Sequence, residues 1–139
     1  MNTSIPPQPH PDLDSAPFWA ATAKGRLEIC RCDACDIWHQ PPLEHCRDCG
    51  GETCFAPVSG VGTLRSFIVV RHPAVPGYLS DLPYVVGLVD LDEQEGLRLP
   101  TRLLDAPLET LKIGQRVAAE ILPLAGGDFC VAAFRVLSE

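Results

Sequence analysis

Two pairs of cysteines carry the clearest chemical signal in this sequence of 139 residues. Two residues separate the cysteines within each pair, and ten residues separate one pair from the other. A tight turn can aim both sulfurs of a pair at one ion, and four thiolates in a tetrahedron suit Zn²⁺. Such a site has no open coordination position, so the ion would hold the chain in shape and take no part in a reaction. The sequence therefore predicts a structural zinc site formed by Cys32, Cys35, Cys46 and Cys49.

Spacing alone leaves other interpretations of this cluster open. Iron in the same four thiolates would make a rubredoxin-like electron carrier. Disulfides would require an oxidising compartment. Cys30 lies two residues before Cys32, and residues at that spacing share one face of a strand, so Cys30 could compete as a ligand.

Two histidines and two further cysteines lie near or beyond the cluster. His45 adjoins Cys46 and could replace a thiolate, and His39 also falls inside the cluster. The simpler expectation for both histidines is exposure to solvent on the ribbon. Cys54 and Cys130 are expected to be small buried hydrophobic residues.

The segments around the cysteines must form a small β-ribbon that positions them. We expect strands over residues 27–31 and 53–58, with a connecting strand and turn over residues 38–42. Gly50 follows the second pair and suits the left-handed backbone of such a turn. Asp36 follows the first pair, and aspartate tolerates that conformation better than most residues.

A short helix is predicted before the ribbon, over residues 18–24, with Ser15 as its N-cap, Pro17 in the first turn and Gly25 at its end. Phe18 and Trp19 either pack on the core or bind a partner, since aromatic residues are enriched at the centres of interfaces.

The remainder of the chain indicates an OB-fold barrel. Strands are expected over residues 63–71, 84–91, 97–104, 116–122 and 129–137, with one helical turn over residues 107–111. Five strands with a helical turn between the third and fourth are typical of an OB fold, and a small β-sandwich is the alternative. The predicted fold is mostly β: a short helix, a zinc ribbon and a five-stranded OB barrel. The predicted divisions are a flexible proline-rich arm (1–14), helix plus ribbon (15–57) and OB domain (58–139).

Composition bears on location and on the class of partner. The chain has 11 Lys+Arg against 18 Asp+Glu, a net charge of −7, and only 6% aromatic residues. Residues 58–139 hold seven Lys+Arg against ten Asp+Glu, which argues against nucleic acid because phosphate contacts and base stacking need basic and aromatic residues. We see no membrane span and no signal peptide, and expect a cytoplasmic protein whose thiols stay reduced.

We find no sequence motif for catalysis by the chain itself. A Gly-x-Ser-x-Gly elbow and a glycine-rich phosphate loop are both missing, so no catalytic residue is predicted. Arg71 and His72 could bind a phosphate group or a partner's carboxylate, or simply lie in a hydrated loop. Arginines spread over the strands could line one face of the barrel (Arg65, Arg98, Arg102 and Arg135), and an acidic group is expected to be a hydrated turn (Asp90, Asp92, Glu93 and Glu95).

Motifs spread over residues 16–136 resemble one family, the acyl-CoA-associated zinc-ribbon/OB-fold proteins. The matching residues are Phe18-Trp19, Gly25, Leu27, Cys32-Asp33-Ala34-Cys35, Gln40-Pro41-Pro42, Cys46-Arg47-Asp48-Cys49-Gly50, Pro57-Val58-Ser59-Gly60, Gly62-Thr63, Ser66-Phe67, Leu82-Pro83-Tyr84-Val85-Val86, Ile113-Gly114 and Phe134-Arg135. The chain departs from the family at Asp36, where glycine is usual, and at Val136, where proline is frequent.

This resemblance implies the same helix and OB fold with a rubredoxin-like zinc ribbon, and it implies a function. It also makes CoA the expected source of the phosphate that Arg71 and His72 could bind. Family members often serve as small partners of thiolase-like enzymes that act on acyl-CoA or polyketide-type substrates. The leading hypothesis is a non-catalytic accessory subunit that stabilises a thiolase-like or ketosynthase-like enzyme and helps to shape the acyl-CoA path. The alternatives are a stand-alone acyl-CoA-binding protein or enzyme and a nucleic-acid-binding module.

Overall fold

One helix and eight strands make up the protein, which the computed structural model describes over residues 5–137. The elements in chain order are α1 (Ala16–Ala23), β1 (Glu28–Cys32), β2 (Trp38–His39), β3 (Thr53–Pro57), β4 (Val61–Val70), a 3₁₀ turn (Leu79–Asp81), β5 (Tyr84–Leu91), β6 (Arg98–Leu104), β7 (Arg116–Pro123) and β8 (Cys130–Val136). The five predicted barrel strands agree with β4 to β8 to within two residues at each end. The expected connecting strand over 38–42 is shorter, because only two of its residues pair with β1.

The strands form a ribbon and a barrel, as the sequence predicts. The ribbon is an antiparallel sheet of order β2-β1-β3, and the barrel is closed in the order β4-β5-β6-β8-β7. Closure depends on a short parallel pairing between β6 and β8, in which Leu103 faces Phe134 and Leu104 faces Arg135. The closed order excludes the β-sandwich alternative.

The barrel strands bury one face and expose the other. Every second residue of β5, beginning with Val85, is buried, which is the period of two expected of a strand with one face on a core. Gly62 allows β4 to approach β5 closely, since a Cβ there would lie 2.7 Å from Cγ1 of Val89. The β4–β5 register shifts between Leu64 and Ser66, and such irregularities help a sheet to curve into a barrel.

The ribbon and the barrel share one hydrophobic core. Leu27, Ile29 and Trp38 of the ribbon belong to the same buried cluster as Leu97 and Phe134 of the barrel. Ile29 and Phe134 are fully buried. Because two small units bury their apolar faces together, the geometry of the ribbon depends on the barrel, and the barrel depends on the ribbon.

The helix begins differently from the prediction. Ser15 precedes α1, but its side chain makes no capping hydrogen bond to the helix. Asp12 and Ser15 instead form a reciprocal pair, in which the Ser15 amide donates to Oδ1 of Asp12 at 2.8 Å and the Asp12 amide donates to Oγ of Ser15 at 3.1 Å. Hydrogen bonds from Ser15, chiefly from its amide, hold the pKa of Asp12 below its usual value. The capping residue is therefore Asp12, three residues before the predicted Ser15, and the two residues form a capping box.

The predicted divisions at residues 14/15 and 57/58 stay predictions. Residues 1–4 of the proposed flexible arm, and residues 138–139 at the other end, lie outside the described residues. Within the described part of the arm, Pro6 is buried.

Candidate metal centre

The ribbon brings the four predicted cysteines to one point. Cys32 is the last residue of β1 and Cys35 lies in the turn that follows, whereas Cys46 and Cys49 lie in the turn before β3. Their four sulfurs all fall within 4.8 Å of one another, with Cys32 Sγ 3.5 Å from Cys49 Sγ and Cys35 Sγ 3.6 Å from Cys46 Sγ. A zinc–sulfur bond of ~2.3 Å in a tetrahedron gives sulfur–sulfur edges of about 3.8 Å. The observed separations therefore fit a four-thiolate site for a tetrahedral metal ion.

Each cysteine pair sits in a turn that directs backbone amides at one sulfur. Cys32 Sγ accepts from the amides of Ala34 at 3.3 Å and Cys35 at 3.4 Å. Cys46 Sγ accepts from the amide of Asp48 at 3.4 Å. Such amides lower the negative charge that a bound thiolate must carry, which is the outer-shell support that metal sites need.

The residues that close the two turns are left-handed, as predicted. The Asp36 amide donates to the carbonyl of Cys32 at 3.1 Å, and the Gly50 amide donates to that of Cys46 at 2.9 Å. Asp36 has φ 65° and Gly50 has φ 74°. The two turns therefore share one geometry, even though aspartate occupies the position that glycine takes in the second.

The four thiols do not ionise alike. The amides of Cys35 and Ala34 lower the pKa of Cys32 to about 7, and the amides of Cys49 and Asp48 lower the pKa of Cys46. Although the Ile37 amide donates to Cys35, partial loss of hydration and the neighbouring sulfurs raise the pKa of Cys35 to about 12. Four adjacent thiolates repel one another, so full ionisation of the cluster requires a cation among them.

His39 is buried, which the sequence analysis did not expect. It is 1% exposed and pairs with Cys30 across β1 and β2. Neither ring nitrogen has a hydrogen-bond partner among the described residues. The expectation of an exposed histidine is wrong for His39, because strand pairing turns it into the ribbon, and right for His45.

The remaining cysteines lie outside the cluster. The Cys30 thiol points to the carbonyl of Leu43 at 3.5 Å, so Cys30 is not part of the four-sulfur group. Cys54 is exposed, and its thiol donates to Oδ1 of Asp33 at 2.7 Å, which raises the pKa of Cys54. Cys130 is only partly buried. The expectation of buried positions is therefore wrong for Cys54, which lies on the edge strand β3, and only partly met for Cys130, which is the first residue of β8.

Phe18 and Trp19 form an aromatic group on α1. Their rings meet edge to face with centroids 5.0 Å apart, and the Trp19 ring meets Phe129 in the same way at 5.7 Å. Both side chains are half-buried, and Phe18 packs against the shared core. Core packing therefore accounts for part of each ring, and the partner-binding role stays a prediction.

Two arginines of the barrel strands, Arg98 and Arg135, are held by acidic side chains. Arg98 binds Asp90 at 2.9 Å, and Arg135 binds Asp105 at 2.6 Å and Glu120 at 2.8 Å. The acidic group expected to be a hydrated turn is likewise held in contacts, since Asp92 pairs with Arg116, and Glu93 accepts from the amide of Ser59 at 2.6 Å.

An aromatic group around Arg102 was not anticipated. The guanidinium lies 6.0 Å from the centre of the Tyr78 ring and 5.1 Å from that of Tyr84, and it pairs with Asp81 at 2.9 Å. Sequence spacing gave no signal for this group, because its members come from β5, β6 and the connection between β4 and β5.

Arg71 and His72 are both exposed on the connection between β4 and β5, and Arg65 is exposed on β4. The predicted role of Arg71 and His72 in CoA binding stays a prediction.

Comparison with known proteins matches both halves of the chain. A family model described as the ChsH2 rubredoxin-like zinc ribbon domain matches residues 19–53, and one described as the ChsH2 C-terminal OB-fold domain matches residues 56–122. A solved structure, described as the Ltp2-ChsH2(DUF35) aldolase, contains a chain that is 32% identical, with a TM-score of 0.83. The match covers 93% of this chain and 98% of that one. The chain belongs to the ChsH2 (DUF35) family.

Two other proteins are similar to this chain over part of their length or in fold alone. A 3-oxo-4,17-pregnadiene-20-carboxyl-CoA hydratase alpha subunit of Mycobacterium tuberculosis is 32% identical over 112 residues, which are 81% of this chain. The chain spans only 35% of the length of that curated relative. A DUF35 protein of unknown function from Sulfolobus solfataricus shares the fold, with a TM-score of 0.54 at 14% identity over 86% of this chain and 82% of that one. Among residues 5–137, no helix is long and apolar enough to cross a membrane.

Proposed function

We propose that this chain is a non-catalytic accessory subunit of a thiolase-like enzyme that acts on acyl-CoA. The observation that carries the proposal is the likeness to the chain in the Ltp2-ChsH2(DUF35) aldolase, which extends over 98% of that chain. That description names a second component, Ltp2, beside the ChsH2 domain. The mycobacterial relative is named for a CoA thioester, which supports the same substrate class.

The metal that we assign to the four cysteines is zinc, in a structural role. A set of four thiolates satisfies a tetrahedral Zn²⁺ completely and leaves no position for substrate or water. The rubredoxin-like zinc ribbon model that matches residues 19–53 supports the assignment to zinc. Because thiolate ligation needs reduced cysteines, we also place the protein in a reducing compartment such as the cytoplasm.

Two surfaces are assigned to the complex. Phe18 and Trp19 lie on a helix that contacts both β1 and β8, so a partner that covered their exposed halves would reach the ribbon and the barrel together. Arg71 and His72 carry exposed donors on the β4–β5 connection, which suits a CoA phosphate at the edge of a shared acyl-CoA path.

The experiment is a purification under native conditions, followed by reconstitution. The tagged chain is isolated from its own host, and a thiolase-like enzyme in stoichiometric amount is the expected companion by mass spectrometry. The two proteins are then assayed separately and together on acyl-CoA thioesters. We expect activity from the pair, none from this chain and little from the partner alone.

Three results would contradict the proposal. Turnover of acyl-CoA by the isolated chain would make it an enzyme in its own right. Binding of an acyl-CoA without any protein companion would make it a stand-alone binding protein. Salt-sensitive binding to single-stranded nucleic acid would support the alternative function of a nucleic-acid-binding module. Elemental analysis of the same sample should give one zinc per chain, and iron in its place would contradict the metal assignment.

A further inference from the structure

Residues 5–8 lie across two loops of the barrel. Pro6 is buried, although the residues on either side of it are exposed. The Gln8 side chain donates through Nε2 to the carbonyl of Ala125 at 2.8 Å and to that of Pro6 at 3.1 Å. The first of these bonds joins the arm to the β7–β8 hairpin across 117 positions of sequence. The arm is thus held in a defined place by a buried proline and a bridging amide.

Three glycines leave the space that the arm fills. A Cβ on Gly77, in the β4–β5 connection, would lie 2.5 Å from the Pro6 nitrogen. A Cβ on Gly126 would overlap the Ile5 side chain. Both of these glycines have positive φ, so their turns alone could account for them. Gly127 does not, yet a Cβ there would lie 2.5 Å from Oε1 of Gln8. A side chain at Gly127 would therefore disturb the contact with Gln8 of the arm, and not the conformation of the turn.

The two loops that the arm touches are those with which OB folds bind their ligands. In an OB barrel these are the connection between the first and second strands and that between the fourth and fifth. Here they are residues 71–83 between β4 and β5, and residues 124–129 between β7 and β8. The arm therefore occupies the place where other OB folds take an extended polymer.

The chemistry of the arm and of the barrel favours a peptide over a nucleic acid in this cleft. Prolines at positions 6, 7, 9 and 11 restrict the arm to extended conformations, so little conformational entropy is lost on docking. The segment from Ile5 to Pro9 carries no charge. Residues 58–139 carry seven Lys+Arg against ten Asp+Glu, and this excess of acid repels a phosphate backbone.

We propose that the cleft between the β4–β5 connection and the β7–β8 hairpin is a binding site for an extended, proline-containing peptide, and that residues 5–8 of the same chain fill it. The docked arm closes the OB ligand cleft. It also ties the connection that carries Arg71 and His72 to the hairpin. This inference stands apart from the accessory-subunit proposal, since it concerns a contact within one chain.

The test compares backbone amide spectra of the zinc-loaded full chain with those of a chain that lacks residues 1–8. This deletion keeps Asp12 and Ser15, which begin α1. We expect the amides of Gly77, Ala125 and Gly126 to shift on deletion. A synthetic peptide of residues 5–10 should return them towards the full-chain positions in a saturable titration. Gln8→Ala in the full chain should move the same amides part of the way.

Peptide variants supply the specificity control. Pro6→Asp and Gln8→Ala should each weaken binding by about fivefold or more, since a buried contact or a hydrogen bond is lost. Pro7→Ala should change the affinity by less than about twofold, because Pro7 is exposed.

Any one of four results would overturn the proposal. Spectra of the two chains that superimpose at the three amides would show that the arm does not dock. The effective concentration of a segment on a short tether is about 1 mM. If the amide signals do not return when the peptide is added at that concentration, an independent binding site is excluded. Equal binding of all peptide variants would exclude recognition of Pro6 and Gln8. Binding of oligothymidylate by the shortened chain would assign the cleft to nucleic acid.

Discussion

Gln94 in the turn between β5 and β6 forms two hydrogen bonds with the backbone of Trp38 in the ribbon. The Trp38 amide donates to Oε1 of Gln94 at 2.9 Å, and Nε2 of Gln94 donates to the Trp38 carbonyl at 3.1 Å. One side chain of the barrel thus pairs with β2 as a neighbouring strand would. Trp38 also belongs to the shared core, so this pairing fixes the ribbon on the barrel at the point where their apolar faces meet.

Replacing Gln94 should therefore weaken the packing of the ribbon on the barrel. We expect Gln94→Ala to lower the free energy of unfolding by about 1–3 kcal/mol, because it leaves two backbone groups of Trp38 without partners. Urea denaturation measures the loss. Glu95→Ala is the matched control, since Glu95 is the exposed neighbour in the same turn. Equal stability of the two variants would show that the Gln94 pairing does not hold the halves together.

Removal of the metal should unfold residues 26–57 and leave the barrel strands less protected. Structural zinc contributes about 10–16 kcal/mol in small ribbons, which is as large as the whole stability of a typical domain. Hydrogen exchange before and after chelation should show loss of protection in β1 and β3. Full ribbon protection in a metal-free sample would contradict the structural role of the ion.

Cysteine variants should distinguish the cysteines that bind the metal from those that do not. We expect Cys46→Ser to lose the metal and the ribbon structure, because Cys46 is one of the four clustered sulfurs. Cys54→Ser should retain both, since its thiol bonds to Asp33 outside the cluster. Metal content per chain by elemental analysis is the measurement. A Cys46→Ser protein that keeps one ion per chain would place the ligands on other side chains.

The Asp92–Arg116 pair should make a small contribution to stability that depends on pH. The Arg116 hydrogen bond lowers the pKa of Asp92 below its usual 3.8. A group with a depressed folded pKa stabilises the fold above its unfolded pKa, and the contribution disappears as pH falls through the folded value. Asp92→Asn should thus be less stable than the wild type at pH 7, and the two curves should converge well below pH 3.8. Parallel curves of stability against pH would exclude this contribution.

Trp19 and Phe129 should be energetically coupled. Their rings meet edge to face at 5.7 Å, and aromatic pairs of this kind contribute about 0.5–1.5 kcal/mol beyond the area they bury. A double-mutant cycle with Trp19→Ala and Phe129→Ala measures the coupling through urea denaturation. If the losses of unfolding free energy in the two single variants add up to that of the double variant, the contact between the rings does not stabilise the fold. The Trp19 ring would then be available to bind a partner.

Much of the metal centre could be predicted because it is local. Two residues between cysteines define one tight turn, and the turn defines where both sulfurs point. The left-handed residues Asp36 and Gly50 follow from the same turn. The barrel strands were also predictable, since alternation of apolar residues and the Gly126-Gly127 turn are features of short stretches of chain.

Two sequence predictions were wrong within the ribbon and at the start of the helix. His39 was expected to be exposed, and only its pairing with Cys30 inside the ribbon buries it. The capping residue is Asp12, three residues before Ser15, because the Asp12 carboxylate accepts from the Ser15 amide while the Ser15 side chain makes no bond to the helix.

The amino-acid sequence by itself determined the four-sulfur cluster, the succession of strands along the chain and the family, since each of these depends on residues close together or in fixed succession. Only the tertiary structure decided that Gln94 holds Trp38, 56 positions away, and that Gln8 reaches Ala125, 117 positions away. The physical reason is that such contacts depend on how closed sheets place their loops, and no local preference of the backbone encodes that placement.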